Sequence, residues 1–289
     1  MVIYPGNESL GRRIAETLGA DVASLTMRQF PDEESYVQLS AACAGRDVIV
    51  VATLDRPNPK VLPLLFLVDL AHELRASRVI LVAPYLAYMR QDTRFKSGEA
   101  VTSRSFAKLL SGGIDALVTV DPHLHRYEAL AELYSVPAHV IHAAPLVAEW
   151  IQAEVERPLL VGPDSESGQW VADVARRASA PYVVLEKTRR GDRDVEVSVP
   201  DVERWRDHRP VLVDDIISTA RTMIETVRRL KCADLPAPIC VGVHAVFAGD
   251  AYRDLRAAGA ERVVTTNTIA HESNQIDVSG AVADAVRGT

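Results

Sequence analysis

At 289 residues, 48% of them hydrophobic and 25% charged, the chain is long enough for one large or two ordinary domains with a sizeable core, and wholesale disorder is not expected. Its formal net charge of -7, from 32 basic and 39 acidic residues, argues against non-specific nucleic-acid binding, which needs a basic field. A local Lys/Arg cluster can still hold an anionic small molecule against that global sign.

Cys43, Cys232 and Cys240 share no CxxC or CxxH spacing, so reduced thiols are expected rather than a disulfide scaffold. The start, MVIYPGNES, lacks the basic region and long apolar segment of a signal peptide. The longest apolar stretch, VLPLLFLVDLA, is shorter than a bilayer span and is interrupted by Asp69. A cytoplasmic protein with no membrane partner is the expectation.

In chain order, β-branched runs predict strands at Val2-Ile3-Tyr4, DVIVVAT from Asp47, RVILVAP from Arg78 and ALVTVD from Ala116. The second half adds PLLVGPD from Pro158, YVVLEK from Tyr182, PVLVDD from Pro210, ICVGVH from Ile239 and RVVTTN from Arg262. All are apolar on both faces, as buried parallel strands should be. Helices are predicted between them. LGRRIAETL takes Ser9 as its cap, and VLPLLFLVDLAHELRA carries Pro63 in its first turn, where a proline is tolerated. SRSFAKLL, YEALAELY, GQWVADVARRA, RTMIETVRRLK and DAYRDLRAAG follow. Strands alternating with helices predict βαβ units and doubly wound sheets. The alternation restarts between residues 140 and 158, which divides the chain into domains 1–145 and 146–289. VEVSVPDVERW, from Val195, alternates as a hairpin or an edge strand would.

The chemistry is densest in RPVLVDDIISTARTMIETVRRLK. An apolar strand is expected to end at Asp214 and Asp215, with a short connection feeding a helix. Open α/β sheets bind ligands at that position, beyond the carboxyl ends of their strands. Ser218, Thr219 and Thr222 offer hydroxyls, and main-chain N–H groups at a helix start cradle phosphate. Paired carboxylates suit sugar hydroxyls or hydrated Mg²⁺. The same residues also suit a plain helix cap beside exposed aspartates, and this loop by itself does not separate the two.

VDDIISTARTM resembles the ribose-5-phosphate loop, DDxxxTGGT, of type I phosphoribosyltransferases and ribose-phosphate pyrophosphokinases. Asp214, Asp215, Thr219 and Thr222 match, whereas Ala220 and Arg221 replace the two glycines. Four further segments resemble the pyrophosphokinases in particular. RQFPDEES, from Arg28, is similar to RFxDGE, with Glu33 in place of glycine. That likeness implies that Phe30 packs on the adenine base and that Asp32 and Glu34 receive its amino hydrogens. APYLAYMRQDTRFKSGEAVTSR, from Ala83, is close to PYxxYxRQDxxFxxGE. It implies Arg90 on the ATP phosphates, Gln91 and Asp92 near the adenosine, and added positive field from Arg94 and Lys96. TVDPHLHRY, from Thr119, places His123 where the family carries a metal-linked histidine, with Asp121 as its neighbour and His125 as a weaker candidate. Mg²⁺ prefers oxygen, so proximity of His123 to the metal is expected more than strong ligation. LEKTRRGDRDVEV, from Leu185, resembles the catalytic loop with its KxR hallmark, matched by Lys187 and Arg189, with Arg190 and Arg193 adding charge. VGPDSESGQW aligns Asp164 and Gly168 with xPDxGG, its aspartate holding ribose phosphate or metal, and Ser167 replaces the first glycine. TTNTI, from Thr265, is similar to a family segment and reads as architectural.

The resemblance spans most of the chain. It implies an α/β fold of two tandem phosphoribosyltransferase-type (type I) domains with central, mostly parallel sheets and the active site between them. It implies Mg²⁺-dependent transfer of the β,γ-diphosphoryl group of ATP to D-ribose 5-phosphate, in a homodimer or homohexamer with ATP sites completed across subunits. A phosphoribosyltransferase would explain the Asp214 loop, but not the RQD or KxR segments. A catalytically silent, synthase-like subunit is the other alternative, kept open by Ala220, Arg221, Glu33 and Ser167. The chain has no GxxxxGK[ST] loop and no GxGxxG fingerprint, which argues against an ordinary nucleoside-triphosphatase or a dinucleotide-dependent dehydrogenase.

Overall fold

The computed structural model describes residues 1–124, 126–163, 167–185, 188–190, 194–196 and 202–289. They form two compact units. The first comprises Met1–His142, Thr268–Ala270 and Val278–Thr289; the second comprises Ala143–Asn267 and His271–Asp277.

The first unit runs β1 (Val2–Ile3), α1 (Glu8–Leu18), β2 (Ser24–Gln29), β3 (Ser35–Ser40), β4 (Asp47–Val51), α2 (Asn58–Glu73), β5 (Arg78–Ala83), α3 (Thr102–Ser111), β6 (Ala116–Val120) and β7 (Ala138–Ile141). Its five-stranded sheet has the order β1-β4-β5-β6-β7, with every neighbouring pair parallel. Every residue of β6, and of β5 after Arg78, is buried, which is why those runs read as continuously apolar. The β2–β3 antiparallel hairpin stands as a separate two-stranded sheet.

Three local expectations fail here for identifiable reasons. Helix α1 starts at Glu8, so Ser9 lies inside the first turn and Asn7 holds the cap position. The Asn7 side chain does not cap the helix: it donates to the carbonyls of Tyr4 and Pro5 and accepts the Thr53 N–H at 2.9 Å, tying the end of β1 to that of β4. Helix α2 starts at Asn58, so Pro63 sits inside the helix rather than in its first turn, its ring buried in the core. YEALAELY makes only a 3-10 turn, Leu130–Glu132, which Glu132 closes by accepting the N–H groups of Glu128 and Ala129. Leu130 and Tyr134 turn into the core, and Pro137 bars further helix.

The second unit runs α4 (Ala144–Glu154), β8 (Pro158–Gly162), α5 (Gly168–Ala178), β9 (Tyr182–Val184), β10 (Thr188–Arg190), β11 (Asp194–Glu196), α6 (Val202–Trp205), β12 (Arg209–Ile216), α7 (Arg221–Cys232), β13 (Ile239–His244), α8 (Ala251–Ala257), β14 (Arg262–Thr266) and β15 (Asn274–Ile276). Its sheet has the order β15-β14-β13-β12-β8-β9 and is parallel throughout. The chain moves from β8 to one edge at β9, then returns to β8's other side with β12 and proceeds outward. The strand order therefore reverses between β8 and β12, and the crevice beyond the carboxyl ends at such a reversal is where these sheets accept ligands. Of VEVSVPDVERW, Val195 and Glu196 lie in β11, which pairs antiparallel with β10, and the last four residues form α6. The rest of that segment lies outside the described residues.

The last helix, α9 (Ser279–Arg287), belongs to the first unit. Val282, Ala283 and Val286 are buried, and Arg287 donates to the Thr17 carbonyl of α1. All three cysteines are free, Cys43 and Cys240 buried and Cys232 exposed; burial pushes the Cys240 thiol up to about 12. Among the described residues no helix is long and apolar enough to cross a membrane.

Gly242 of β13 lies opposite Asp214 of β12, and a Cβ there would fall 2.6 Å from the Ile217 side chain. Gly242→Ala should therefore lower the unfolding free energy by about 1–3 kcal/mol through overpacking, as read by urea denaturation. An unchanged midpoint would mean that Ile217 yields without cost.

Candidate functional site

Strand β12 extends through Ile216, so Asp214 and Asp215 lie within its last turn of pairing rather than at its end. Both are half-buried, and the Asp214 carboxylate accepts the Asp215 N–H at 3.0 Å. Pleating sends successive strand side chains to opposite faces, so the two carboxylates address different ligand atoms and do not make one chelate. Ile217 then turns down onto Gly242. Its N–H donates to the His244 carbonyl at 3.0 Å and its carbonyl accepts the Phe247 N–H at 2.9 Å. The Ser218 carbonyl accepts the Ala248 N–H at 3.0 Å. Main-chain bonds thus stitch this loop to the segment that follows β13.

Ala220 adopts the left-handed conformation, φ 56°, and α7 begins at the next residue. This is the backbone that glycine adopts most cheaply, so the turn is retained although the glycine is not. Ala220, at the cap position of α7, has no side chain that can cap it. Its first-turn N–H groups, with the positive end of a 12-residue helix behind them, form an anion cradle. Ser218 and Thr222 are half-buried beside it, while Thr219 and Arg221 are exposed. Behind the loop, the rings of Phe247, Tyr252 and His271 cluster at centroid distances of 4.6–5.3 Å. Burial lowers the His271 pKa, with Glu272 opposing. Thr265 and Thr266 are fully buried and bonded to Ser273 and to the Val243 carbonyl, as an architectural segment should be.

The first unit gathers its candidates in three places. At the tip of the β2–β3 hairpin, Phe30, Asp32 and Glu34 are all exposed, and Glu33 holds φ 69° where the resembled segment has glycine. Arg28 lies directly across from Tyr36, and its guanidinium stacks over both the Phe30 and Tyr36 rings, 4.6 and 4.2 Å from their centroids. Beyond β5, Arg90 is exposed and Gln91 half-buried, but Asp92 is buried. The Asp92 carboxylate accepts Arg126 Nε at 3.2 Å, and its carbonyl accepts the Tyr127 hydroxyl at 3.0 Å. Arg94 donates to the Glu99 carbonyl, and Lys96 N–H to the Glu99 carboxylate. Beyond β6, Asp121 (φ 31°) and His123 (φ 58°) hold a strained turn, and Asp121 also faces His142 Nδ1 at 3.3 Å. Arg28, Arg126 and Tyr127 lie in the quoted segments without an assigned role and His142 lies in none; tertiary pairing reveals all four.

Lys187, Asp164, His125 and Arg193 lie outside the described residues. Arg189 and Arg190 fall in β10, of which only the main chain is described. Among the described residues no group of three His, Cys, Asp or Glu side chains is arranged to hold a metal. Mg²⁺ bound with a nucleotide, however, takes one or two carboxylates and completes its shell with phosphate oxygens and water. Asp121, whose side chain is only 11% exposed, and the half-buried Asp214 and Asp215 are donors of that kind. Each unit thus offers carboxylate oxygen, which Mg²⁺ prefers to an imidazole such as that of His123.

Comparison with known proteins agrees along the chain. Residues 1–112 match the family described as the N-terminal domain of ribose phosphate pyrophosphokinase, and residues 129–279 match the phosphoribosyl transferase domain. The ribose-phosphate pyrophosphokinase of Methanopyrus kandleri is 33% identical over 290 residues, covering 99% of this chain and 98% of its own. That of Halobacterium salinarum is 33% identical over 284 residues, covering 97% and 98%. A crystal structure of phosphoribosylpyrophosphate synthetase from Mycobacterium smegmatis shares the fold, with a TM-score of 0.87 at 24% identity over 99% of this chain and 97% of that one.

Because Ala220 and Glu33 hold a glycine backbone, replacing each with glycine should leave stability unchanged or raise it by up to about 1 kcal/mol. Ala220→Val should lower it by at least about 1 kcal/mol, since β-branching worsens the same conformation. Chemical denaturation of the three variants checks this. A loss on introducing glycine would refute the strain.

Proposed function

We propose, for a chain that belongs to the ribose-phosphate pyrophosphokinase family, that it transfers the β,γ-diphosphoryl group of ATP to O1 of D-ribose 5-phosphate, giving 5-phospho-α-D-ribose 1-diphosphate and AMP. Its two units are tandem phosphoribosyltransferase-type α/β domains, each on a parallel sheet. The observation that best supports the reading is the loop after β12. It sits at the reversal point of the second sheet, keeps the left-handed turn without its glycine, and opens a helix whose cap position, Ala220, has no polar side chain.

In this reading Asp214 and Asp215 orient the ribose hydroxyls. Ser218, Thr219, Ala220, Arg221 and Thr222 hold the 5-phosphate through hydroxyls and main-chain N–H groups. A cation at a helix start opposes the helix dipole by roughly 0.3–1 kcal/mol; a phosphate seated there turns Arg221 from a cost into a ligand. Phe30 packs on the base, which leaves Asp32 and Glu34 to accept its amino hydrogens. Arg90 takes the phosphates in the fork geometry that guanidinium offers, with Gln91 beside the adenosine.

The anomeric hydroxyl oxygen attacks the β-phosphorus. A new O1–Pβ bond forms, the bridging Pα–O–Pβ bond breaks on the β side, and AMP departs with the bridging oxygen. The O1 proton passes to solvent, no side chain being assigned as general base. Lys187, Arg189 and Arg90 neutralise the charge that grows on the leaving and transferring oxygens. When bound, Mg²⁺ would supply further charge neutralisation on the phosphates; the resemblance assigns His123 and Asp164 to it, and Asp214 or Asp215 would offer it carboxylate oxygen. The same reading expects a homodimer or homohexamer in which the exposed hairpin tip completes the ATP site of another subunit.

Incubation of the purified protein with ATP, Mg²⁺ and ribose 5-phosphate should yield AMP and the diphosphate product in equal amounts. Absence of both would favour a catalytically silent homologue. Asp215→Asn should reduce kcat/KM for ribose 5-phosphate by roughly tenfold or more, the worth of a charge-assisted hydrogen bond, with ATP binding retained. Lys187→Ala should lower turnover by at least about tenfold with the fold intact. Unchanged turnover would remove Lys187 from the catalytic loop.

A further inference from the structure

We propose that Asp92 and Arg126 form a positioning pair that fixes the Arg90 segment against the His123 turn, and that the Asp92 carboxylate does not itself touch the nucleotide. The proposal rests on the reading of these two segments as nucleotide-binding and adds a residue, Arg126, that no motif singles out.

The two segments leave the sheet side by side. β5 and β6 are parallel neighbours, and the chain continues past their carboxyl ends as residues 84–101 and 121–127. At the root of these segments the Pro84 carbonyl accepts the Val120 N–H at 3.3 Å. Further out, three ties hold residues 91 and 92. Ser103 N–H donates to the Gln91 carbonyl at 3.3 Å, the Tyr127 hydroxyl to the Asp92 carbonyl at 3.0 Å, and Arg126 Nε to the Asp92 carboxylate at 3.2 Å. Arg104 Nε from α3 in turn donates to the Tyr127 hydroxyl at 3.3 Å. The far side of the Arg126 guanidinium approaches the Phe95 ring, 6.0 Å from its centroid.

Burial decides what the carboxylate can do. The Asp92 side chain is 8% exposed, whereas that of Arg126 is 56% exposed. A buried carboxylate is an acceptor only, and here a cation occupies it; withdrawing that cation would leave an uncompensated buried charge. Facing a triphosphate, such a carboxylate would also repel. Arg90 lies two residues before Asp92 and His123 three residues before Arg126, so one ion pair sets the spacing of the two groups that the reading assigns to phosphate and metal. A point charge would satisfy the Coulomb part, but the single Nε contact and the ring contact both use the guanidinium plane.

The test is a double-mutant cycle of Asp92→Asn and Arg126→Gln, with Arg126→Lys as the conservative variant, in the full chain. ATP affinity is measured by calorimetry with Mg²⁺ and without sugar, alongside steady-state kinetics, all well below the lowest Tm of the set. Each single variant should weaken ATP binding by about tenfold, the double should be no worse than the weaker single, and Arg126→Lys should recover part of the loss. The KM for ribose 5-phosphate should stay within about twofold. A role in folding alone would lower Tm without moving the ATP constants, and would overturn the proposal. Loss confined to Asp92→Asn, or additive losses, would overturn it as well, by making the carboxylate a nucleotide contact. Because affinity is read without turnover, a wild-type protein that binds ATP but forms no AMP would refute the proposed reaction and still decide the pair.

Discussion

The loop that follows β12 depends on one contact, Ile217 resting on the bare face of Gly242. Because β13 has no side chain at that position, the chain leaving β12 can drop directly onto the sheet and bury its isoleucine. That descent brings the Ile217 and Ser218 main chain within bonding distance of residues 244–248, and main-chain hydrogen bonds tie the loop there. A loop held in this way presents the start of α7 at the carboxyl end of the sheet. It also ties the loop to the adjacent strand rather than to the residues that would vary with the ligand, and this is the preorganisation a phosphate cradle requires.

The departures from the family pattern acquire a physical meaning from the backbone. Eleven non-glycine residues hold positive φ among the described residues, and five of them fall in the candidate segments: Glu33, Tyr88, Asp121, His123 and Ala220. Each costs on the order of 1–2 kcal/mol relative to an ordinary conformation, and such costs persist only where surrounding structure over-determines the turn. At Glu33 and Ala220 the substitution has removed the glycine but not the turn. Missing glycines are therefore a weak argument for a silent protein. They record a change in local stability more directly than a change in chemistry.

What could be read from the sequence divides along the same line between local and tertiary information. Nine parallel strands were legible because strands covered on both faces are apolar without interruption, as in RVILVAP and ICVGVH, although β9 at the sheet edge proves exposed or half-buried throughout. The β2–β3 hairpin was not, because Ser24–Gln29 never becomes buried and alternates only weakly between exposed and half-exposed positions. Helix α9 was legible neither as a helix nor as part of the first unit, since chain order says nothing of a segment that returns to pack on α1. Asp214 to Thr222 could be proposed as a site because its parts are contiguous. Arg28 and Arg126 could not, since Arg28 needs the register that sets it opposite Tyr36, and Arg126 needs two loops from neighbouring strands.

The two units reach their ligand loops by different physics. In the second, the strand order reverses at β8 and β12, so the sheet itself opens a crevice and the main chain supplies the donors. In the first, the order β1-β4-β5-β6-β7 proceeds in one direction with no reversal among the described strands, and the sheet offers no such opening. Its candidate residues stand instead on a hairpin and on long loops beyond β5 and β6, which must be held by side chains. Arg28 between two rings and Asp92 under Arg126 do that holding. On the proposed assignment, a phosphate that any helix start can seat is thus left to backbone geometry, while a nucleotide, whose base and phosphates lie far apart, falls to side-chain ties that set distances between separate segments.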